Sequence, residues 1–370
     1  MKLAKIAIEN FRQLGTAKHP FEISFTDPLD RVRDFTLLVG PNSIGKTTIL
    51  DAIGAAIGPT LELPAVRNNF KLSPRTVVRR GAQSARVTCW LRFSPDEIKA
   101  TQELLAMKKY DGPTPDASEI KLMWEYPDPR AESRFGRLQF EPSNGWRLLK
   151  ARVNAARLLS TGQVDWSYFK RVGSVFTFDQ ERTGLSKAIS RRIWNIIHGE
   201  TAEDDKSTRR TTDPRTILID LALRASVPSE ATGMKGHNEF ERIQERFAQI
   251  CSPRRIIGPI EDALGEFDIY FDDGRHEYRY DTLSSGERMV LLLLVRFVSE
   301  HIHRSVVMID EMELNQHPIW QRKLLTMIPQ MGDHNQIIAT THSPYLRDAV
   351  RSDAVIDLGD LGDQIQGSDE

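Results

Sequence analysis

The stretch GPNSIGKTT, residues 40–48, restricts the fold of this chain more than any other feature of its sequence. It matches the pattern G-x-x-x-x-G-K-[ST] and lies between an apolar run, FTLLV at 35–39, and a helical pattern that ends at Gly58. In this order, a strand, a glycine-rich loop and a helix N-terminus surround phosphate oxygens with backbone N–H groups. The sequence therefore predicts an α/β fold that binds a nucleotide. A glycine turn with a surface lysine is the alternative interpretation.

Residues within this loop have separate expected roles. Lys46 would reach the β- and γ-phosphates, and the hydroxyl of Thr47 would ligate Mg²⁺. Backbone groups of the same stretch would contact the phosphates directly. The residues assigned to nucleotide contact are Gly40, Asn42, Gly45, Lys46, Thr47 and Thr48. The expected ligands are therefore ATP and Mg²⁺.

Composition excludes several other classes of protein. The chain has 370 residues, 40% hydrophobic and 27% charged, with a formal net charge of -1. A net charge this close to zero argues against a basic surface that binds nucleic acid over the whole protein, although a local basic face is compatible with it. Cys89 and Cys251 are too few for a disulfide framework and lack metal-site spacing. The longest apolar run, 289–295, is far short of the ~20 residues that cross a bilayer. We expect a cytoplasmic protein without membrane contact.

Two acidic residues follow an apolar run late in the chain. SVVMIDE, residues 305–311, reads as a buried strand that ends in Asp310 and Glu311. Asp310 suits a Mg²⁺ ligand, and Glu311 suits a general base that polarises the attacking water. A solvated loop acid is the alternative, and the upstream phosphate loop favours the functional interpretation.

A histidine follows the next apolar run. IIATTHSP, residues 337–344, places His342 where a parallel sheet binds ligands, so it could contact a γ-phosphate. A structural role is the commoner one for a single histidine. Between these strands, 319–328 has a helical pattern, and strands that alternate with helices predict a parallel sheet.

The stretch LSSGE, residues 283–287, precedes an almost wholly apolar helix. A small, glycine-bearing turn at a helix N-terminus can bind phosphate without a lysine. One ATP does not need two such turns from one chain. Ser284 and Gly286 are therefore expected to close over a nucleotide held by another subunit, and a capped helix is the alternative.

Taken in order, these motifs resemble those of an ABC-type ATPase head. GPNSIGKTT resembles the Walker A motif, LSSGE the ABC signature, MIDE the Walker B motif, ELNQHP the D-loop and TTHSP the switch histidine motif. The spellings IENFRQLG, DEMELNQHP and THSP resemble the RecF-, SMC- and OLD-like ATPases, over residues 1–95 and 256–350. The resemblance implies an α/β, two-lobed P-loop NTPase head with a mostly parallel central sheet, an antiparallel β lobe and helical insertions. It also implies ATP hydrolysis.

The same resemblance implies roles for further residues. Arg12 would approach the nucleotide, and Gln180, in FTFDQERTGL, would sense Mg²⁺ and the γ-phosphate as the Q-loop residue. Glu311 and His342 would be the catalytic residues. The chain departs from the family at three places, which are Ser43-Ile44 in the loop, Ser285 in the signature and Met312 after Walker B. Because no phosphate or metal ligand is lost, we still expect hydrolysis.

The expected organisation is one ATPase domain that is split in the sequence. An N-terminal lobe covers 1–95, an insertion region 96–255, a C-terminal lobe 256–350 and an acidic tail 351–370, with a mobile segment at 198–215. We expect strands through 119–150 and a hairpin over 267–280 that turns at Asp273-Gly274. The 28 residues after His342 leave no room for the TOPRIM nuclease of OLD proteins, and no heptads indicate a long coiled coil.

The expected function is an ATPase subunit that dimerises head to tail around two ATPs, with higher oligomers open. It would act as a DNA-associated clamp or sensor that controls a separately encoded nuclease or toxin, in phage defence or DNA repair. The alternative is a nucleotide-gated protein scaffold that does not bind DNA, and a transporter subunit is the third candidate. The basic patches considered for double-stranded DNA are Lys71, Arg75, Arg79 and Arg80, then Arg209 and Arg210, then Arg254 and Arg255.

Overall fold

A computed structural model describes residues 1–61, 74–130, 133, 135–179, 214–226, 239–261 and 267–359. Gln180, Lys71, Arg209 and Arg210 lie outside the described residues, as do nearly all of the segment 198–215 and the end of the acidic tail.

Strands in the described residues belong to three sheets. Their bounds are β1 Lys2–Glu9, β2 Phe21–Ser24, β3 Phe35–Val39, β4 Ala85–Arg92, β5 Glu119–Tyr126, β6 Arg137–Glu141, β7 Val175–Phe178, β8 Arg255–Glu261, β9 Phe267–Asp272, β10 Glu277–Arg279, β11 Val306–Ile309, β12 Gln336–Thr340 and β13 Val355–Asp357. The turn between β9 and β10 contains Asp273 and Gly274, which confirms the predicted hairpin.

Helices pack against these sheets. Their bounds are α1 Lys46–Ile57, α2 Pro74–Val77, α3 Pro95–Met107, α4 Trp146–Leu149, α5 Ala151–Ser160, α6 Pro214–Ser226, α7 Glu239–Cys251, α8 Ser285–Ser299, α9 Pro318–Met327 and α10 Pro344–Ala349. Among the described helices, none is long and apolar enough to cross a membrane.

The central sheet has the strand order β13-β3-β12-β11-β7, and every neighbouring pair in it is parallel. All residues of β11 and β12 are buried, as expected for strands with helices on both faces. The apolar runs therefore predicted these strands correctly, and the α/β fold with a parallel sheet is confirmed. Because the strands are parallel, the residues that follow β3, β11 and β12 all lie at one edge of the sheet.

A second sheet forms the antiparallel β lobe, in the order β2-β1-β4-β5-β6. Helix α1 lies between this lobe and the central sheet, and it packs against β4, β5 and β7. The solvent face of the lobe carries cross-strand ion pairs, which are Lys5–Glu22, Arg86–Glu9, Arg86–Glu125, Arg92–Glu119 and Lys121–Glu141. The charges on this face therefore largely neutralise each other.

The prediction of strands throughout 119–150 was wrong in its last part. Trp146 begins a helical turn, α4, and α5 follows directly after Lys150. Leu148, Ala151, Ala155 and Leu158 recur every three or four residues and are buried, which is a helical period. Aromatic content had favoured strands there, whereas the period is the better signal.

Candidate nucleotide-binding site

The loop between β3 and α1 has the backbone conformation that its glycines allow. Gly40 and Gly45 have φ angles of 147° and 112°. A Cβ on Gly45 would also lie 2.9 Å from Cδ2 of Leu14, in the first loop of the chain, so the Leu14 side chain would have to shift. Ser43 has a φ of 64°, which is the left-handed region where glycine is favoured. Asn42 is exposed in the same turn.

Lys46 begins α1, and its ammonium group lies over the loop. Its Nζ donates hydrogen bonds to the carbonyl oxygens of Gly40, at 2.8 Å, and Pro41, at 2.9 Å. Nδ1 of His342 lies 3.3 Å from the same nitrogen. Burial lowers the pKa of Lys46, while the carboxylates of Glu313, Asp310 and Glu311 oppose that shift. The ammonium is thus surrounded by acceptors at the edge of the sheet.

The next residue joins the loop to the end of β11. Thr47 Oγ1 lies 3.1 Å from Oδ1 and 3.0 Å from Oδ2 of Asp310. The hydroxyl of Thr340 donates to Asp310 Oδ1 at 2.6 Å, and Asp310 is buried. Among the described residues, no group of three or more His, Cys, Asp or Glu could hold a metal ion. One hydroxyl and one carboxylate nevertheless fit Mg²⁺, which usually takes few protein oxygens and completes its shell with water and phosphate.

Glu311 follows Asp310 in a backbone conformation that is rare for a residue with a side chain. Its φ is 47°, and its N–H donates to Thr340 Oγ1 at 2.8 Å. The N–H of Met312 donates to the carbonyl oxygen of Thr340 at 3.0 Å, and the Met312 side chain is buried. Proline could not make this second hydrogen bond. Met312 thus ties the turn after β11 to the end of β12.

The switch-histidine segment is held by an acid that the sequence did not single out. Oε1 of Glu313 accepts the backbone N–H of His342 at 2.5 Å, and Oε2 accepts the Thr341 hydroxyl at 2.7 Å. His342 Nε2 lies 4.0 Å from Glu311 Oε1. Glu313 lies two residues after Glu311, and nothing in its spacing separated it from a solvated acid.

Arg12 lies against α1, the helix that follows the phosphate loop. Its φ is 53°, and its guanidinium forms an ion pair with Asp51 at 2.7 Å. Burial raises the pKa of Asp51 to about 6, against the opposing effect of Arg12. The amide of Gln13 donates to Thr48 Oγ1 at 3.2 Å. The residues 12–13 therefore contact the first turns of α1, one turn beyond the phosphate loop.

Ser284 is the N-cap of α8, as the capped-helix alternative proposed. Its Oγ accepts the N–H of Glu287 at 3.2 Å, while Oε2 of Glu287 accepts the N–H of Ser284 at 2.8 Å. Oε1 of the buried Glu287 also accepts the Tyr278 hydroxyl at 3.1 Å and pairs with Arg254 at 2.7 Å. Ser284 itself is exposed. Capping does not use up its hydroxyl, because that group can still donate to a ligand.

Gly286 lies where α8 meets the D-loop. A Cβ at this position would lie 2.6 Å from the carbonyl oxygen of Asn315, so only glycine fits without a shift of the backbone. The Gln316 amide donates to the carbonyl oxygen of Gly286 at 3.1 Å. Gly286 thus contacts the D-loop, and Ser284 caps the same end of α8, whereas Lys46, Asp310 and His342 meet at the phosphate loop.

Several arginines of the predicted basic patches form contacts within the protein. Arg254 is paired with Glu287 and stacks over the Trp320 ring at 5.6 Å. Arg255 pairs with Asp272 at 2.6 Å. The Arg79 guanidinium donates to the Gly15 carbonyl oxygen at 3.1 Å, while Arg75 and Arg80 are exposed.

Comparison with known proteins identifies two family models. Residues 129–348, more than half of the chain, match the family described as "AAA domain, putative AbiEii toxin, Type IV TA system". Residues 1–64 match the family described as "AAA ATPase domain". The first match contains the signature, Walker B and switch histidine motifs, and the second contains the Walker A motif.

Two curated relatives are similar to most of the chain. The chain is 22% identical to the Septu protein PtuA of Bacillus thuringiensis over 336 residues, which is 87% of this chain and 69% of that protein. It is also 22% identical to the Retron Ec83 probable ATPase of Escherichia coli, over 93% of this chain and 69% of that protein.

Two solved Smc heads share the fold. One is bound to the C-winged helix domain of ScpA and superposes with a TM-score of 0.55 at 15% identity, with 96% of each chain covered. The other, with an extended coiled coil and derived from Pyrococcus furiosus, is bound to the C-terminal domain of ScpA. It gives a TM-score of 0.52 at 15% identity over 96% of this chain and 92% of that one. The two-lobed ABC-type head expected from the motifs is therefore confirmed as the fold.

Proposed function

The chain belongs to the family described as "AAA domain, putative AbiEii toxin, Type IV TA system", and from this membership we propose that it works as a head-to-tail dimer around two ATPs. It is an ATPase, and its fold is that of an ABC-type head of the RecF, SMC and OLD group. What we propose is the dimer, the residues that act in it and the effect that it has on other molecules.

One observation carries the catalytic part of this proposal. The hydroxyl of Thr47 and the carboxylate of Asp310 lie within 3.1 Å, and Lys46 Nζ lies 3.3 Å from His342 Nδ1. Motifs from the two ends of the chain thus lie in one cluster, whose residues we propose to bind phosphate and Mg²⁺. Convergence of this kind is what hydrolysis requires and what a chance glycine turn would not produce.

Each residue of the cluster then has a role that its position supports. Lys46 exchanges its loop carbonyl contacts for the β- and γ-phosphates, and the backbone of 40–48 surrounds them. Thr47 and Asp310 would hold Mg²⁺, which would supply positive charge next to the phosphates. Glu311 accepts a proton from the attacking water, and His342 contacts the γ-phosphate as hydrolysis begins.

The signature turn supports a second copy of the chain as the partner. Ser284 presents an exposed hydroxyl at the N-terminus of α8, the 15-residue helix Ser285–Ser299, where the helix dipole favours an anion. Lys46 already supplies the phosphate site of its own chain. We therefore assign Ser284 and Gly286 to the nucleotide of the partner, and Arg12 and Gln180 to their own.

The output of the dimer is proposed from the resemblance and the relatives together. Control of a separately encoded effector, a nuclease or toxin, in phage defence or DNA repair fits the RecF, SMC and OLD group. The Smc heads that share the fold are themselves bound to domains of ScpA. The lobes at 1–95 and 256–350, the insertion region between them and a cytoplasmic setting stay predictions.

DNA binding and the scaffold alternative are separated by one observation and one assay. The scaffold is favoured by the ion pairs on the β lobe and by the pairing of Arg254 with the buried Glu287. ATP hydrolysis by the wild-type chain should be measured with and without double-stranded DNA, while co-purifying proteins are identified. Stimulation by DNA supports the clamp. Hydrolysis that is indifferent to DNA, with a co-purifying partner, supports the scaffold, and absence of hydrolysis contradicts both.

A further inference from the structure

A series of buried hydrogen bonds connects the signature turn to the D-loop and to helix α9. The Gln316 side-chain amide donates to the carbonyl oxygen of Gly286 at 3.1 Å. The carbonyl oxygen of Gln316 accepts the side-chain amide of Gln321, in α9, at 3.0 Å. Both glutamines are less than one-tenth exposed, so these bonds are shielded from water. The position of the signature turn is thus tied to Gln321.

The same glutamine is bonded to the switch-histidine segment. Its Oε1 accepts the hydroxyl of Ser343 at 2.6 Å, and the N–H of Ser343 donates to Thr341 Oγ1 at 2.9 Å. The Thr341 hydroxyl donates to Glu313, which also accepts the N–H of His342. Ser343 and Thr341 are buried as well. Gln321 therefore joins two segments that belong to different nucleotide sites of the proposed dimer.

We propose that Gln321 is a positioning residue that makes the signature turn and the switch-histidine segment of one chain move together, so that the two ATP sites of the dimer are coupled. The inference rests on the head-to-tail dimer proposed above. In that dimer, Gly286 faces the nucleotide of the partner, whereas His342 faces the nucleotide of its own chain. We call the bonded series Gly286, Gln316, Gln321, Ser343 and Thr341 the relay. A shift at one end of the relay changes the bond geometry at the other.

The energetic reason lies in the burial of the relay. A buried donor or acceptor that loses its partner costs more than an exposed one, because water cannot replace the lost bond. Gln321 lies in none of the motifs read from the sequence, yet both ends of its amide have partners. One acceptor, Gln316 Oε1, has no hydrogen-bond partner in the described part of the chain. The side-chain amide of Gln316 is therefore bonded through its nitrogen only among the described residues.

Hydrogen exchange tests the relay in the nucleotide-free protein, without requiring a dimer. Ser343→Ala removes the hydroxyl that Gln321 accepts, at the switch end of the relay. We expect it to speed amide exchange at the remote signature turn, including the Glu287 N–H, by about two- to tenfold, the factor that one net hydrogen bond represents. Faster exchange confined to 341–346 would overturn the inference.

Two variants in α9 distinguish a specific role of Gln321 from a general stabilisation of the helix. Gln321→Met removes both bonds at similar volume and should speed exchange at 284–288 and 341–343 together. Leu324→Val alters a buried apolar residue of the same helix that takes no part in the relay. It should leave both segments at the wild-type rate. Equal effects of the two variants would mean that Gln321 only stabilises α9.

The coupling of the two ATP sites is measured separately by the Hill coefficient of hydrolysis. We expect a value above one for the wild-type chain, a fall to about one for Gln321→Met, and the wild-type value for Leu324→Val. A wild-type coefficient of one, or an unchanged coefficient in Gln321→Met, overturns the coupling. Absence of an ATP-dependent dimer would instead overturn the proposed function, while the exchange data still decide whether the relay exists.

Discussion

Thr47 and Asp310 are 263 residues apart in the sequence, yet the Thr47 hydroxyl lies 3.0 Å from Oδ2 of Asp310. The contact arises because β3 and β11 are parallel strands of one sheet, separated by β12, and their carboxyl ends meet at one edge. Thr340, at the end of β12, donates to the same carboxylate. The two ends of the chain thus build one site.

Asp310→Asn tests whether this pair holds Mg²⁺. The amide keeps the shape of the side chain but removes the charge that attracts the cation. The Mg²⁺ concentration that gives half-maximal ATP hydrolysis should rise by at least about tenfold, the usual effect of weakening one metal contact. Asp353→Asn, on an exposed ion pair with Arg351, is the matched control and should change nothing. An unchanged Mg²⁺ requirement in Asp310→Asn would remove that residue from the metal site.

Glu313→Ala tests the acid that binds the switch-histidine segment. Loss of its hydrogen bonds to Thr341 and the His342 N–H should misplace the imidazole and lower kcat by about tenfold, with a small change in KM. In the His342→Ala background the same substitution should cost little more, because the group that it positions is gone. Full additivity of the two losses in kcat would show that Glu313 acts independently of His342.

Gly286→Ala tests the close approach of the signature turn to the D-loop. The new methyl group would meet the Asn315 carbonyl oxygen, and the clash should lower the free energy of unfolding by about 1–3 kcal/mol. Gly54→Ala is the control, since a Cβ at Gly54 meets nothing within 4 Å and α1 should gain up to about 1 kcal/mol. Chemical denaturation measures both. Equal stability of the two variants would contradict the packing described here.

His301 should make the fold sensitive to acid. It packs on the Trp166 ring at 4.4 Å and lies 3.4 Å from Glu239, and burial lowers its pKa to about 3. The positive charges that add to this shift are on Arg152, His303, Arg242 and Lys170. Because the unfolded chain binds the proton near pH 6.5 and the folded chain does not, stability is full above that pH and falls on acidification towards pH 3.

The loss due to His301 should approach about 1.4 kcal/mol per pH unit below about pH 6, and His301→Gln should remove that part. His303, whose pKa burial also lowers, to about 4, keeps its own contribution in the variant. The free energy of unfolding is compared at about pH 7.5 and about pH 5 for the wild type, for this variant and for His334→Gln, which changes an exposed histidine. A pH dependence that is the same in all three proteins would show that His301 does not titrate differently on folding.

The parts of the site that the sequence predicted are those that follow buried strands. The proximity of Lys46, Asp310 and His342 follows from one rule, because parallel apolar runs place their carboxyl ends together. Glu313, Asp51 and Gln321 were not predicted, since their partners depend on how separate loops pack. The spacing of polar residues in a loop carries no such information. The helix at Trp146 was missed because aromatic content outweighed its 3.6-residue period.

The role of the signature turn could not be decided from the sequence alone either. Its sequence allowed both a helix cap and a phosphate contact, and in the structure Ser284 caps α8 while its side chain stays exposed. The buried Glu287 is explained by its three partners, Ser284, Tyr278 and Arg254. A charged residue at the start of an apolar helix thus becomes intelligible only through tertiary contacts.

The head-to-tail dimer is tested by following the oligomeric state of Glu311→Gln with ATP, by light scattering, together with its rate of hydrolysis. Removal of the general base should slow hydrolysis by about 10²–10⁴-fold and trap an ATP-bound dimer. Adding Ser284→Arg should prevent that dimer without abolishing nucleotide binding to the monomer. We expect a dimer only in the single variant and only with ATP. A chain that stays monomeric with bound ATP would rule out the head-to-tail dimer.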